Sequence, residues 1–106
     1  MNVLEQLRQQ LDDIDDKIVM LYEERMGLCE KVAHYKKESR VLVEDIDRER
    51  EKLCMVQQHV TNPNNAQGIQ ELFAMLLSHS KRLQQHIIEQ NQDVQHTVHA
   101  DKESIV

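Results

Sequence analysis

Apolar residues in the first third of the chain step by three and four: Leu4, Leu7, Leu11, Ile14, Ile18, Leu21, then Leu28, Val32 and Tyr35. This rhythm, read as one phase, predicts a single long amphipathic helix. Asn2 stands where an N-cap belongs, no proline precedes Pro63, and the rhythm lapses over residues 38–40. Gly27 is its weak point, since glycine inside a helix costs roughly 1 kcal/mol against alanine. The stripe emerges beyond it still in register, so continuity is expected. A second helix is expected from Asp45, another good N-cap, with Ile46, Leu53, Val56 and Val60 at seam spacing. The Thr-Asn-Pro-Asn-Asn of residues 61–65 stops it. A third helix opens near Ala66, shows Ile69, Leu72, Phe73, Leu76, Leu77, Leu83, Ile87 and Ile88 on one side, and fades after Gln90. Residues 1–90 read as one domain, and 91–106, with no sustained apolar face, as a polar tail or linker stub.

Length gives this pattern its consequence. A helix of about 35 residues measures roughly 50 Å, whereas a compact globule of about 100 residues has a radius of gyration near 13 Å. The first helix outruns its own domain, and the rest of the chain supplies only part of the cover its stripe needs. A second copy is the economical remedy, so the expected architecture is all-α, three helices per chain, in an intertwined homodimeric bundle. Composition agrees: among 106 residues there are two glycines, one proline and three aromatics, too little to punctuate a β-rich fold. There is no internal repeat and no low-complexity tract.

Charge and cysteine usage narrow the partners. Nineteen acids against 13 lysines and arginines give a net charge of −6, the wrong sign for gripping a phosphate backbone, so nucleic acid is not an expected partner. No apolar run approaches the roughly 20 residues that span a bilayer, and the first ten residues lack the pattern of an export signal, so the expectation is a cytoplasmic protein. Cys29 and Cys54 stand 25 residues apart without a CxxC pattern and read as small buried hydrophobes. Of six histidines only His96 and His99 have close helical spacing, and they lack a third ligand, so no metal is expected. The methionines at 20, 26, 55 and 75 read as packing.

The chemistry lies where the seam is not apolar. Between Leu21 and Leu28 the rhythm lands on Arg25, between Ile46 and Leu53 on Glu49, and between Leu77 and Ile87 on Ser80, with Gln84 one turn on. An unpaired charge inside a helical bundle costs several kcal/mol, so these residues need partners in each other or in a ligand. A register-setting salt-bridge network is one reading; the lining of a small polar pocket is the other, and both charge signs with two neutral hydrogen-bonding residues suit it better. Lys36 follows Arg25 by 11 residues, which at 100° per residue returns to within about 20° of the same direction, some 16 Å along the axis. Two long cations so placed grip a small anion from both ends. Lys37 misses by about 120°. Arg8, about 25 Å from Arg25 along the helix, reaches that site only from the other chain of an antiparallel dimer. Ser80 and Gln84 share a face as i and i+4. Arg48 and Glu49 sit in the first turn after Asp45, where backbone N–H groups are expected to be open to a ligand.

The stretches LRQQLDDIDDKIVMLYEER, VEDIDRERE and FAMLLSHSKRLQ, with Lys36 eleven residues after Arg25, resemble the all-helical chorismate mutases across about residues 4–90. No departure appears at the motif positions. The resemblance implies conversion of chorismate to prephenate without a cofactor, in an intertwined dimer of three-helix chains with two equivalent sites. It implies that Arg25 and the partner chain's Arg8 bind the two substrate carboxylates, with Arg48 and Ser80 assisting at the pocket wall. Lys36 and Gln84 would hydrogen-bond the ether oxygen of the breaking bond, and Glu49 with the backbone at Asp45 would hold the ring hydroxyl. Two other outcomes stay open at this point: an isochorismate pyruvate lyase of the same fold, and a helical dimerisation module without activity.

Overall fold

The computed structural model describes residues 2–40, 42 and 45–96, with residues 91–96 described as helical backbone. Three α-helices follow one another: α1 from Val3 to Ser39, α2 from Ile46 to Gln58, and α3 from Ala66 to His96, with a single 3-10 turn, Pro63–Asn65, before α3. The described residues contain no strand.

Each boundary has a local cause. Asn2 Oδ1 accepts the backbone N–H of Glu5 at 2.8 Å and so caps α1, and Asp45 Oδ1 accepts that of Arg48 at 3.0 Å and caps α2. α1 ends where Arg40 turns left-handed, φ 58°, and returns its N–H to the carbonyl of Lys36. After α2, Asn62 Oδ1 accepts the N–H of Asn64 at 3.0 Å and Pro63 supplies a preset φ, which starts the turn that leads into α3. α3 runs six residues beyond Gln90, where the apolar pattern fades; once a helix is nucleated, each further residue adds a hydrogen bond without needing an apolar face. Residues 97–106, His99 among them, lie outside the described residues.

Gly27 lies within unbroken helix, as expected, and no atom stands within 4 Å of where a Cβ would be. Gly27→Ala is therefore expected to stabilise the protein by about 0.5–1 kcal/mol, raising the thermal midpoint without changing activity. A lowered midpoint in a melting experiment would show that something packs where the methyl goes.

α3 is the hub: α1 packs on it, α2 packs on it, and α1 and α2 do not pack on each other. α3 meets only the C-terminal half of α1, where Tyr22, Arg25, Met26, Cys29, Ala33 and Lys36 lose exposure, while every residue from Val3 to Leu21 is exposed. The chain accordingly spans 61 × 31 × 20 Å, with a radius of gyration of 18.4 Å.

The long stripe is not one face, as the three-four rhythm suggested. A strict 3.5-residue repeat winds around a 3.6-residue helix, so Leu28, Val32 and Tyr35 lie about 100° round from Tyr22, Arg25, Cys29 and Lys36. α3 takes the second row. The first stays open, with Leu28 56% and Tyr35 65% exposed, and Leu4, Leu7, Leu11, Ile14 and Ile18 are uncovered further up. Among the described residues only Ala33, Ser80 and Gln84 are buried, and two of those three are polar.

Candidate active site

Ser80 and Gln84 occupy consecutive turns of α3, and each meets a cation from α1. The Ser80 hydroxyl donates to the carbonyl of Leu76 at 2.9 Å, accepts from a guanidinium nitrogen of Arg25, and accepts from the Cys29 thiol at 3.2 Å. A hydroxyl has one proton and two lone pairs, so Ser80 is saturated and acts by holding Arg25. Arg25 has no acidic partner among the described residues; its neighbours are this hydroxyl and the Cys29 sulfur at 4.0 Å.

One turn further on, Lys36 Nζ donates to Gln84 Oε1 at 3.1 Å. That contact orients the carboxamide: its oxygen faces the ammonium, and its two N–H groups are the end left to donate elsewhere. The pair Arg25–Ser80 and the pair Lys36–Gln84 form one polar strip along the α1–α3 seam, as the 11-residue spacing of the cations required.

α2 brings Glu49 to the α3 surface one residue from Ser80. Glu49 Oε2 pairs with Lys81 Nζ at 3.1 Å, both side chains being less than a third exposed. Arg48 points outward and pairs with Glu51 at 3.7 Å, and both are mostly exposed. The first turn of α2 is less open than expected, because Asp45 takes one N–H that the helix itself leaves over, that of Arg48, while that of Glu49 makes the first bond of the helix. The Asp45 carboxylate accepts from Arg48 and its carbonyl accepts from Glu49 at 3.0 Å. An N-cap good enough to start the helix consumes a donor that a ligand would have used. Arg8 stands on the uncovered half of α1, exposed, and its own chain brings no other candidate residue to it.

Four neighbours escaped the sequence reading as parts of the site. Lys81 looks like one more surface charge until α2 is placed beside it. Tyr22 Oη lies 3.1 Å from His79 Nδ1, the rings edge to face at 6.0 Å, next to the Arg25–Ser80 contact. Cys29 is half-buried and donating, and Cys54 is exposed, so neither is the small buried hydrophobe expected. Residues 22, 25, 29 and 36 share one helical direction, which was the available signal for Tyr22 and Cys29. Met20, Met55 and Met75 likewise lie exposed on the single chain instead of packing within it.

The model of the family described as chorismate mutase type II matches residues 7–85, a stretch that contains all eight candidate residues. A chorismate mutase from Methanocaldococcus jannaschii is 33% identical over 96 residues, covering 85% of this chain and 92% of that protein. No solved structure gives a significant match. A family match over most of the chain and a relative aligned along nearly its whole length agree with a seam whose buried residues are polar: the chain belongs to the chorismate mutase type II family.

Proposed function

We propose that this chorismate mutase works as an intertwined homodimer with two equivalent sites, each completed by Arg8 of the opposite chain. The open row on α1 supports the dimer. Eight or more large apolar side chains along a 37-residue helix are about half exposed in one chain, and a copy of that helix supplies a matching surface. Free cysteines, one of them exposed, suit the reducing cytosol.

The reaction converts chorismate to prephenate. One ether C–O bond breaks as one C–C bond forms within the same molecule, so no proton, electron or leaving group moves between substrate and protein. Catalysis then consists of folding a flexible dianion into its reactive conformer and placing donors at the ether oxygen as it gains charge. In our reading Arg25 and the partner chain's Arg8 take the two carboxylates, and Ser80 fixes the Arg25 guanidinium. Arg48 joins them on leaving Glu51, since an exposed pair of that kind is worth under about 1 kcal/mol. Lys36 brings a full charge to the ether oxygen and Gln84 a neutral N–H, while Glu49 and the backbone at Asp45 receive the ring hydroxyl. The excess acids face water, where salt screens them within about 10 Å.

The observation that carries this reading is that the buried polar pair, Ser80 and Gln84, faces two α1 cations spaced for one small anion. The direct test is loss of chorismate matched by gain of prephenate. A sharper one uses pH. An amide donor does not titrate, so wild-type activity is expected to stay flat from about pH 6 to 9. In Gln84→Glu the donor exists only while the new carboxyl is protonated, so its rate is highest in acid and falls by about tenfold per unit above that group's pKa. A Gln84→Glu profile as flat as the wild type would remove Gln84 from the reacting oxygen.

A further inference from the structure

We infer that Lys81 is a positioning residue for the rearrangement, holding the Glu49 carboxylate across the α2–α3 seam where it can meet the substrate's ring hydroxyl. The inference rests on the role proposed above for Glu49.

Lys81 follows Ser80 directly and precedes Gln84 by three residues, so at 100° per residue it lies about 60° round from Gln84, on the flank turned to α2. Its ammonium is 3.1 Å from Glu49 Oε2, with the two side chains 27% and 29% exposed. One carboxylate oxygen is thereby fixed and the other keeps its acceptor capacity. A carboxylate needs such a tie here. It sits beside a site for a doubly negative guest, and unopposed repulsion would swing a flexible glutamate out to water. The sequence neighbour Arg48 does not supply the counter-charge: in the empty site it is paired with Glu51, and in the loaded one it turns to a substrate carboxylate. Lys81 also anchors the site end of α2, whose far end is tied to α3 by Gln57, donating to the carbonyl of Ala66 at 2.9 Å.

The test is a double-mutant cycle in kcat/KM for prephenate formation, with thermal midpoints measured alongside. Lys81→Met keeps the apolar stem and removes the charge; it is expected to lower kcat/KM about tenfold, the scale of one hydrogen bond to a charged group. Lys81→Gln is the second neutral variant should the first fail to fold. Lys81→Arg, which reaches the same carboxylate, recovers most of the loss. In a Glu49→Gln background Lys81→Met adds nothing, because the group it positions is already gone. Full additivity of the two losses, or Lys81→Arg as poor as Lys81→Met in a folded protein, overturns the inference. If Glu49→Gln alone leaves kcat/KM intact, the role of Glu49 falls first, a result distinct from additivity.

Discussion

Arg25→Ala abolishes turnover while leaving a folded protein: kcat/KM drops by about 10²- to 10³-fold, from losing roughly 3–4 kcal/mol of a charge-assisted contact to a substrate carboxylate. The argument turns on what Arg25 touches in the empty fold. A structural salt-bridge network would give this guanidinium a carboxylate, and then its removal would strand a half-buried acid and destabilise the bundle by several kcal/mol. Its partners are a hydroxyl and a thiol. Losing it leaves Ser80 still bonded to Leu76 and Cys29, neutral groups that bear the change at about 1 kcal/mol or less. Steady-state kinetics paired with circular-dichroism melting separates the cases. Lost activity with a kept melting point identifies a pocket arginine; a collapsed melting point with activity kept in the surviving fold identifies a strut.

Periodicity and caps sufficed for the helices of this protein because each is set by residues within one turn of its end. Asn2 and Asp45 are legible as caps since their partners are three residues away. The strip of Arg25, Lys36, Ser80 and Gln84 was legible for a related reason, since residues 11 or four apart on one helix share a direction whatever surrounds them. Relations between helices were not legible. Nothing in the chain states how α3 crosses α1, so the apolar row that looks like the packing face in sequence stays exposed while α3 covers the row of Tyr22, Arg25, Cys29 and Lys36. Nothing local pairs Glu49 with Lys81, 32 residues away, whereas the contact of Arg48 with Glu51, three residues on along α2, is local. The Asp45 cap shows the same limit in small: the motif marks the turn correctly, yet which N–H groups it leaves over depends on how the aspartate folds back.

Mixing two inactive chains is expected to restore activity. Arg8→Ala alone and Lys36→Ala alone should each lose nearly all turnover, because every site in either homodimer lacks one cation. In a mixed dimer, one site combines intact Lys36 from the first chain with intact Arg8 from the second, and the other site lacks both. With random assortment about half of the dimers are mixed and half of their sites are whole, so roughly a quarter of wild-type activity returns. The proposed dimer leads to this result through the geometry of α1. Arg8 and Arg25 lie about 25 Å apart on one unbroken helix, too far for a single small substrate to bridge. An antiparallel partner brings its Arg8 level with Arg25 when the two-fold axis passes midway, at residues 16–17, inside the stretch of α1 that its own chain leaves bare. Purification through two different tags and assay of the mixed species reads the outcome directly. If Arg8→Ala homodimers are as active as wild type, Arg8 is a surface residue. If they are inactive and mixing restores nothing, the arginine serves its own chain, and the intertwined arrangement of the two sites is wrong.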